Sequence, residues 1–112
     1  MKMKMQSPSR GNKDAPKSGE IWYADALMFN DGIHSKDRPV LIKKRNDQMF
    51  DCYKCTSQSK DIRERYEIKD LDEAGLDHRT FIDYDILQIP RSKLMYRMGK
   101  LSDDDRAAFG KL

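Results

Sequence analysis

The sequence predicts a mainly β protein, a small antiparallel barrel or sandwich that ends in a short helix. Three observations predict it. Short runs rich in β-branched and aromatic residues recur at irregular spacing, each bounded by Gly, Pro, Asn or Asp. No internal repeat organises them. Ser102 followed by Asp103-Asp104-Asp105 starts a helix, with a cap residue and then acids at the positive end of the helix dipole, and Gly110 ends it. Strands followed by one terminal helix suit an all-antiparallel layer better than alternating β and α units.

In chain order, residues 1–18 are rich in Ser, Pro, Gly, Asn and Lys without a periodic apolar pattern, and read as a disordered basic tail. Pro16 and Gly19 mark the edge of the domain, which covers 19–112. The segment Glu20-Ile21-Trp22-Tyr23-Ala24-Asp25-Ala26 is the expected first strand. Asn30-Asp31-Gly32 is turn chemistry, which predicts a surface loop from Leu27 to Asp37. Pro39 to Lys43 reads as a short buried strand, with the proline tolerated at its first position. Asn46-Asp47 turns the chain into a strand from Met49 to Cys55, and Ser57 to Lys60 reads as loop. Arg65 to Ile68 is a short strand, Asp70 to Gly75 one helical turn closed by glycine, and Thr80 to Ile89 the longest strand. Leu94 to Leu101 reads as the last strand, with Gly99 at a bulge.

A chain of 112 residues suits one core. Its apolar runs are far too short to cross a bilayer, and the lysines near the N-terminus precede no apolar segment, so a cytoplasmic location is expected. The net charge of +3 is uneven. Residues 1–18 carry five basic side chains against Asp14, whereas the rest holds 17 basic and 18 acidic ones. Within that body, 34–65 is mostly basic, 66–90 mostly acidic, and Arg91, Lys93, Arg97 and Lys100 then follow together. Such blocks fit either one basic face or a set of solvated strand edges.

Cys52-Tyr53-Lys54-Cys55 has C-x-x-C spacing, but no second cysteine pair completes a zinc site. On a strand, side chains three apart point to opposite faces, which opposes a disulfide and leaves two buried free thiols. His34 and His78 both lie in polar loop sequence and read as surface histidines, His34 being in the loop that leads to Arg38. Asp103 to Asp105 read as a helix cap rather than a metal site, and no metal or cofactor site is expected. Arg38 is more informative. The residue before a proline is pushed into extended geometry, so Asp37-Arg38-Pro39-Val40-Leu41-Ile42 delivers a guanidinium at the head of a strand with its backbone fixed. There it can fork onto phosphate oxygens or serve an ordinary surface ion pair.

Three segments in order, Gly19-Glu20-Ile21-Trp22-Tyr23-Ala24-Asp25, Arg38-Pro39-Val40-Leu41-Ile42 and Cys55-Thr56-Ser57-Gln58, resemble the MazF/PemK family of toxin ribonucleases. Glu67-Ile68, the Phe81-Ile82 strand and Leu101-Ser102-Asp103-Asp104 resemble its later landmarks. The resemblance implies an SH3-like antiparallel barrel of the MazF/PemK/CcdB type with a short C-terminal helix. It also implies a homodimer that cuts single-stranded RNA without metal or cofactor, held in check by a cognate antitoxin protein. By position, Arg38 matches the family's catalytic arginine and Thr56 its catalytic hydroxyl residue. Ser35, Lys36, Ser57 and Gln58 then fall at RNA-contacting positions.

The residue types fit that chemistry. Cleavage to a 2′,3′-cyclic phosphate begins with the 2′-hydroxyl attacking the adjacent phosphorus, and negative charge builds on the equatorial oxygens. A preorganised guanidinium stabilises that charge. Thr56 is too weak an acid to transfer the proton alone and is assigned a hydrogen bond to the phosphate, which leaves the general base unassigned. The sequence departs from the family in the segment Asp31 to Asp37, where a Gly-Ser-Glu-Gln type loop is usual, and in Asp85-Ile86-Leu87-Gln88, where Glu-Gln-x-Arg is common. Base preference therefore does not transfer. Two other functions share the fold: a non-enzymatic toxin that binds a protein target such as a DNA gyrase, and an interaction module without activity.

Overall fold

The alternation of apolar residues along three central strands sets the architecture. In the computed structural model, residues 15–28, 35–57 and 64–112 are described, with the side chains of 26–28, 35 and 36 left aside. Six strands form one antiparallel sheet: β1 (Glu20–Met28), β2 (Ser35–Asn46), β3 (Met49–Thr56), β4 (Arg65–Glu67), β5 (Phe81–Pro90) and β6 (Leu94–Lys100). Their order is β4-β5-β3-β2-β1-β6. The mainly β class and the C-terminal helix are as the sequence predicts. The ladder is open, because among the described residues no pairing joins its two edge strands, β4 and β6.

The central strands are buried on both faces. Ile21, Leu41, Tyr53 and Cys55 enter one core, which is covered by Ile68, Leu101 and Phe109. Their chain neighbours Trp22, Val40, Ile42 and Cys52 enter a second core with Phe50 and Ile89. A strand sends successive side chains to opposite faces, so an unbroken run such as Val40-Leu41-Ile42 feeds both. Cys52 and Cys55 fall in different cores as free, buried thiols, as their spacing predicts.

Two helices cover the first core. α1 (Leu71–Ala74) is capped by the Asp70 carboxylate, which accepts from the Glu73 N–H, and closes at Gly75 in the left-handed conformation. α2 (Asp103–Phe109) begins at Ser102, whose hydroxyl accepts from the Asp105 N–H, and closes at Gly110. A 3-10 turn (Arg91–Lys93) links β5 to β6.

The structure differs from the sequence reading at several boundaries. β1 runs on through Leu27 and Met28, which pair with Lys36 and Ser35, so both ends of the expected loop from Leu27 to Asp37 are strand, and 29–34 between them lie outside the described residues. Arg38 and Pro39 therefore sit inside β2 rather than at its head. The proline is compatible with that place because the β3 ladder begins beyond it, at Val40. Upstream of Gly19, Pro16 is buried and the Ser18 carbonyl accepts from Arg106, so packing reaches past the expected edge of the domain. The rest of the expected tail, 1–14, lies outside the described residues.

Gly99 sits beside a register shift where β6 pairs with β1, as the expected bulge requires. It also lets α1 approach, since a Cβ there would stand 2.5 Å from the Glu73 carbonyl oxygen and the Ala74 carbonyl carbon. Both are backbone atoms. Gly99→Ala is expected to destabilise by about 1–3 kcal/mol, the usual range for overpacking. At roughly 4–8 °C per kcal/mol for a domain of this size, a thermal melt reads the loss directly. An unchanged melting midpoint would mean that α1 is not held against β6.

Candidate functional site

β2 and β3 carry Arg38 and Thr56 to the same end of the sheet. Arg38 pairs with Ala24 of β1, beyond the last β3 partner, so its side chain emerges where the sheet splays. Thr56 closes β3 and pairs with Phe81 at the start of β5. Between Tyr53 and Cys55 the β3–β5 register shifts, and β5 bulges through Asp83 to Asp85. The Asp85 N–H donates to Asp83 Oδ1 at 3.1 Å and closes that bulge. Such an irregularity re-aims the strand end beyond it, here Cys55 and Thr56.

The result is a cleft of about 220 Å³ lined by Arg38, Thr56, Ser57 and His78, with Asp37, Cys55 and Thr80 also in its wall. Three of the six residues singled out from the sequence thus meet in one place. The other three do not enter its description: Ser35 and Lys36 are placed only as backbone at the start of β2, and Gln58 lies outside the described residues, as does His34.

His78 was expected at the surface, with nothing tying it to a pocket. It is at the surface, its side chain 66% exposed, and it also lines the cleft. The local chain explains why. Gly75 ends α1, and the Leu76 N–H donates back to the Leu71 carbonyl at 2.9 Å. Leu76 is buried, and so is Thr80, whose hydroxyl donates to the His78 carbonyl at 3.0 Å. The Ile68 N–H donates to the Thr80 carbonyl and fixes the far end of the segment. Next to it, Arg79 turns elsewhere, onto Glu67 (Nε–Oε2 2.8 Å, Nη2–Oε1 3.1 Å) and over the Phe81 ring. This bidentate partner holds the Glu67 carboxyl below its ordinary pKa.

The described wall of the cleft carries a fixed cation, Arg38, and the carboxylate of Asp37 beside it. Burial pulls the Arg38 guanidinium below its ordinary pKa, the Cys55 thiol opposes this, and Arg65 adds to it. Arginine starts so high that it remains charged at any working pH. Arg65 in turn pairs with the buried Asp83 carboxylate at 3.6 Å. The Cys55 thiol is pushed up to about 12, by burial above all, and Cys52 likewise. Neither is a thiolate nucleophile at neutral pH. Burial, then the Asp37 charge, raises the Tyr23 phenol, which hydrogen-bonds to Asp37. Tyr23 stacks on the exposed ring of Tyr96 with centroids 5.3 Å apart, so an aromatic face adjoins the wall of the cleft.

Among the described residues, no group of three or more His, Cys, Asp or Glu side chains could hold a metal ion. None of their helices is long and apolar enough to cross a membrane. Compared with protein-family models the chain matches none, and no curated protein matches it.

Proposed function

We propose that this chain is the toxin of a type II toxin–antitoxin pair, a cytoplasmic endoribonuclease that cuts single-stranded RNA to a 2′,3′-cyclic phosphate. The observation that carries this reading is the meeting of Arg38, inside β2, with Thr56 and Ser57, at the end of β3 and 18 residues or more further on, in one cleft. A guanidinium and hydroxyls facing one space are the donors that a pentacoordinate phosphorane needs around its equatorial oxygens. The stacked Tyr23–Tyr96 pair beside the cleft suits unpaired bases, which bind aromatic faces whatever their sequence.

In this mechanism the phosphate sits against Arg38, which offsets the growing negative charge, and Thr56 donates a hydrogen bond to a phosphate oxygen. Ser57, exposed at the rim, contacts the neighbouring nucleotide. The resemblance to the MazF/PemK family adds a homodimer and an antitoxin that occupies the RNA site. Neither the gyrase-binding toxin nor the inactive module is favoured by a particular observation.

Purified protein incubated with single-stranded RNA in excess chelator is the direct test. Cyclic-phosphate ends are expected, and intact RNA from folded protein would sink the enzyme. Thr56→Ala is expected to slow cleavage by about 10- to 100-fold, the worth of a hydrogen bond to a charged group. Thr56→Ser keeps the hydroxyl and recovers most of that loss. Equal loss in both variants would assign Thr56 a packing role instead.

A further inference from the structure

We infer that His78, oriented by Asp77, is the general base of the Arg38–Thr56 cleft. The inference rests on the ribonuclease reading above and fills the role that Arg38 and Thr56 leave open. Cyclisation requires the 2′-hydroxyl to lose its proton as its oxygen attacks phosphorus. Of the described side chains lining the cleft, the guanidinium of Arg38 stays protonated at working pH and has no lone pair with which to take a proton. Thr56, Ser57 and Thr80 are hydroxyls, and the Cys55 thiol is sealed in the core. Two groups capable of taking a proton remain, Asp37 and His78. Asp37 already accepts the Tyr23 phenol, whereas a neutral imidazole holds one ring nitrogen open as an acceptor while the other donates.

The geometry also selects a tautomer. His78 Nδ1 lies 2.7 Å from Asp77 Oδ1. A carboxylate only accepts, so Nδ1 carries the hydrogen and the neutral ring presents Nε2 as its acceptor. A carboxylate that fixes the tautomer and stabilises the imidazolium that forms is the arrangement of a general-base dyad. The Asp77 carboxyl is held below its ordinary pKa by that same hydrogen bond, so it stays ionised to do so. Other charges around the ring come from Arg38 and Asp37 across the cleft, while Arg79 is committed to Glu67.

The step balances as follows. The 2′-O–H bond breaks and its proton passes to His78 Nε2 while the 2′-oxygen bonds to phosphorus. The P–O5′ bond breaks, the leaving oxygen keeps the electron pair, and water supplies its proton. His78 then returns its proton to solvent.

Single-turnover cleavage of one single-stranded RNA, followed from pH 5 to 8.5, tests the inference. The wild-type rate is expected to rise about tenfold per pH unit in the acidic limb and then level off, as for a base that must be neutral. His78→Gln is expected to lose roughly 100-fold, at the low end of general-base contributions, and to lose that limb. Added imidazole should restore part of the rate to His78→Ala. Asp77→Asn should lower the rate and move the limb, a change that a merely structural residue would not cause. Because both side chains are mostly exposed (66% and 94%), these variants are expected to melt as the wild type does. If wild-type protein cuts RNA and His78→Gln matches its rate and pH profile, the general-base assignment falls alone. If folded wild-type protein leaves RNA intact, the ribonuclease reading falls and takes the assignment with it.

Discussion

Arg38→Ala is expected to lower the rate of the proposed RNA cleavage, at saturating RNA, by between about 100- and 1000-fold, the usual loss when one preorganised donor to a developing oxyanion is removed. The loss belongs in the chemical step because the equatorial oxygens carry more charge in the transition state than in bound RNA. The half-buried position of Arg38 strengthens the effect, since a guanidinium in a partly water-excluded wall is less screened than one in solvent. Arg65 behind it is paired with Asp83 and is carried on a different strand, so it is not positioned to substitute. Arg38→Lys keeps the charge but loses the planar fork, and most of the defect should persist. Single-turnover rates in excess chelator, compared with the thermal melts of the same preparations, check the prediction. Undiminished cutting by a folded Arg38→Ala protein would remove Arg38 from the site.

Locally, only Arg38 was legible, as a residue fixed before proline that suits a phosphate or an ordinary ion pair; it was the ordered resemblance of three segments to the MazF/PemK family that put Arg38 and Thr56 together as candidates. Their meeting depends on β2 and β3 being neighbours, which the Asn46-Asp47 turn announced and the structure places with Asp47 in the left-handed region. His78 was not legible as part of the site. It lies 40 residues beyond Arg38, and only the pairing of Thr56 with Phe81 brings its segment to the cleft. A local reading has no access to that register. The same limit shortened β1 and β2, because the turn residues Asn30 to Gly32 outweighed the pairing of Leu27 and Met28 across the hairpin. Two-sided burial was more visible, as Val40-Leu41-Ile42 has no polar residue to face water. The bulge at Asp83 to Asp85 left no sequence signal, since which strand carries extra residues is decided by the pairing of two strands together.

Asp105 illustrates the limit for stability, and its replacement carries the second large effect. The sequence read it as one of three acids at a helix start, and so it is, in a Ser102-x-x-Asp105 cap. The structure adds that it is 1% exposed and ties α2 to the chain between β4 and α1. Its carboxylate accepts from the Tyr66 hydroxyl at 2.5 Å, from the backbone N–H groups of Lys69 and Asp70 at 3.1 and 3.0 Å, and from the Ser102 hydroxyl at 3.3 Å. Asp105→Ala would take the shared acceptor from the part-buried Tyr66 hydroxyl and from the Lys69 and Asp70 N–H groups, 35 to 39 residues away in sequence, and is expected to cost about 3 kcal/mol, since hydrogen bonds to a charged group contribute about 1.5–3 kcal/mol each. That is a large part of an ordinary domain's stability. Asp105→Asn retains one oxygen acceptor and should cost less.

The pH dependence separates charge from packing. Burial works against the charged form, yet the donated hydrogen bonds outweigh it and hold the Asp105 carboxyl below its ordinary pKa. The folded state therefore binds this proton less readily than the unfolded chain. Its contribution is complete above the ordinary carboxylate range, near pH 4, and is lost as pH falls through the lower folded value. The stability gap between wild type and Asp105→Asn should accordingly be widest near neutrality and narrow below about pH 4, because the asparagine has no proton to gain. Urea midpoints measured from pH 7 down to 3 give that gap directly. A gap that stays constant over this range would mean that shape and hydrogen-bond count, rather than the negative charge of Asp105, hold α2 against the sheet.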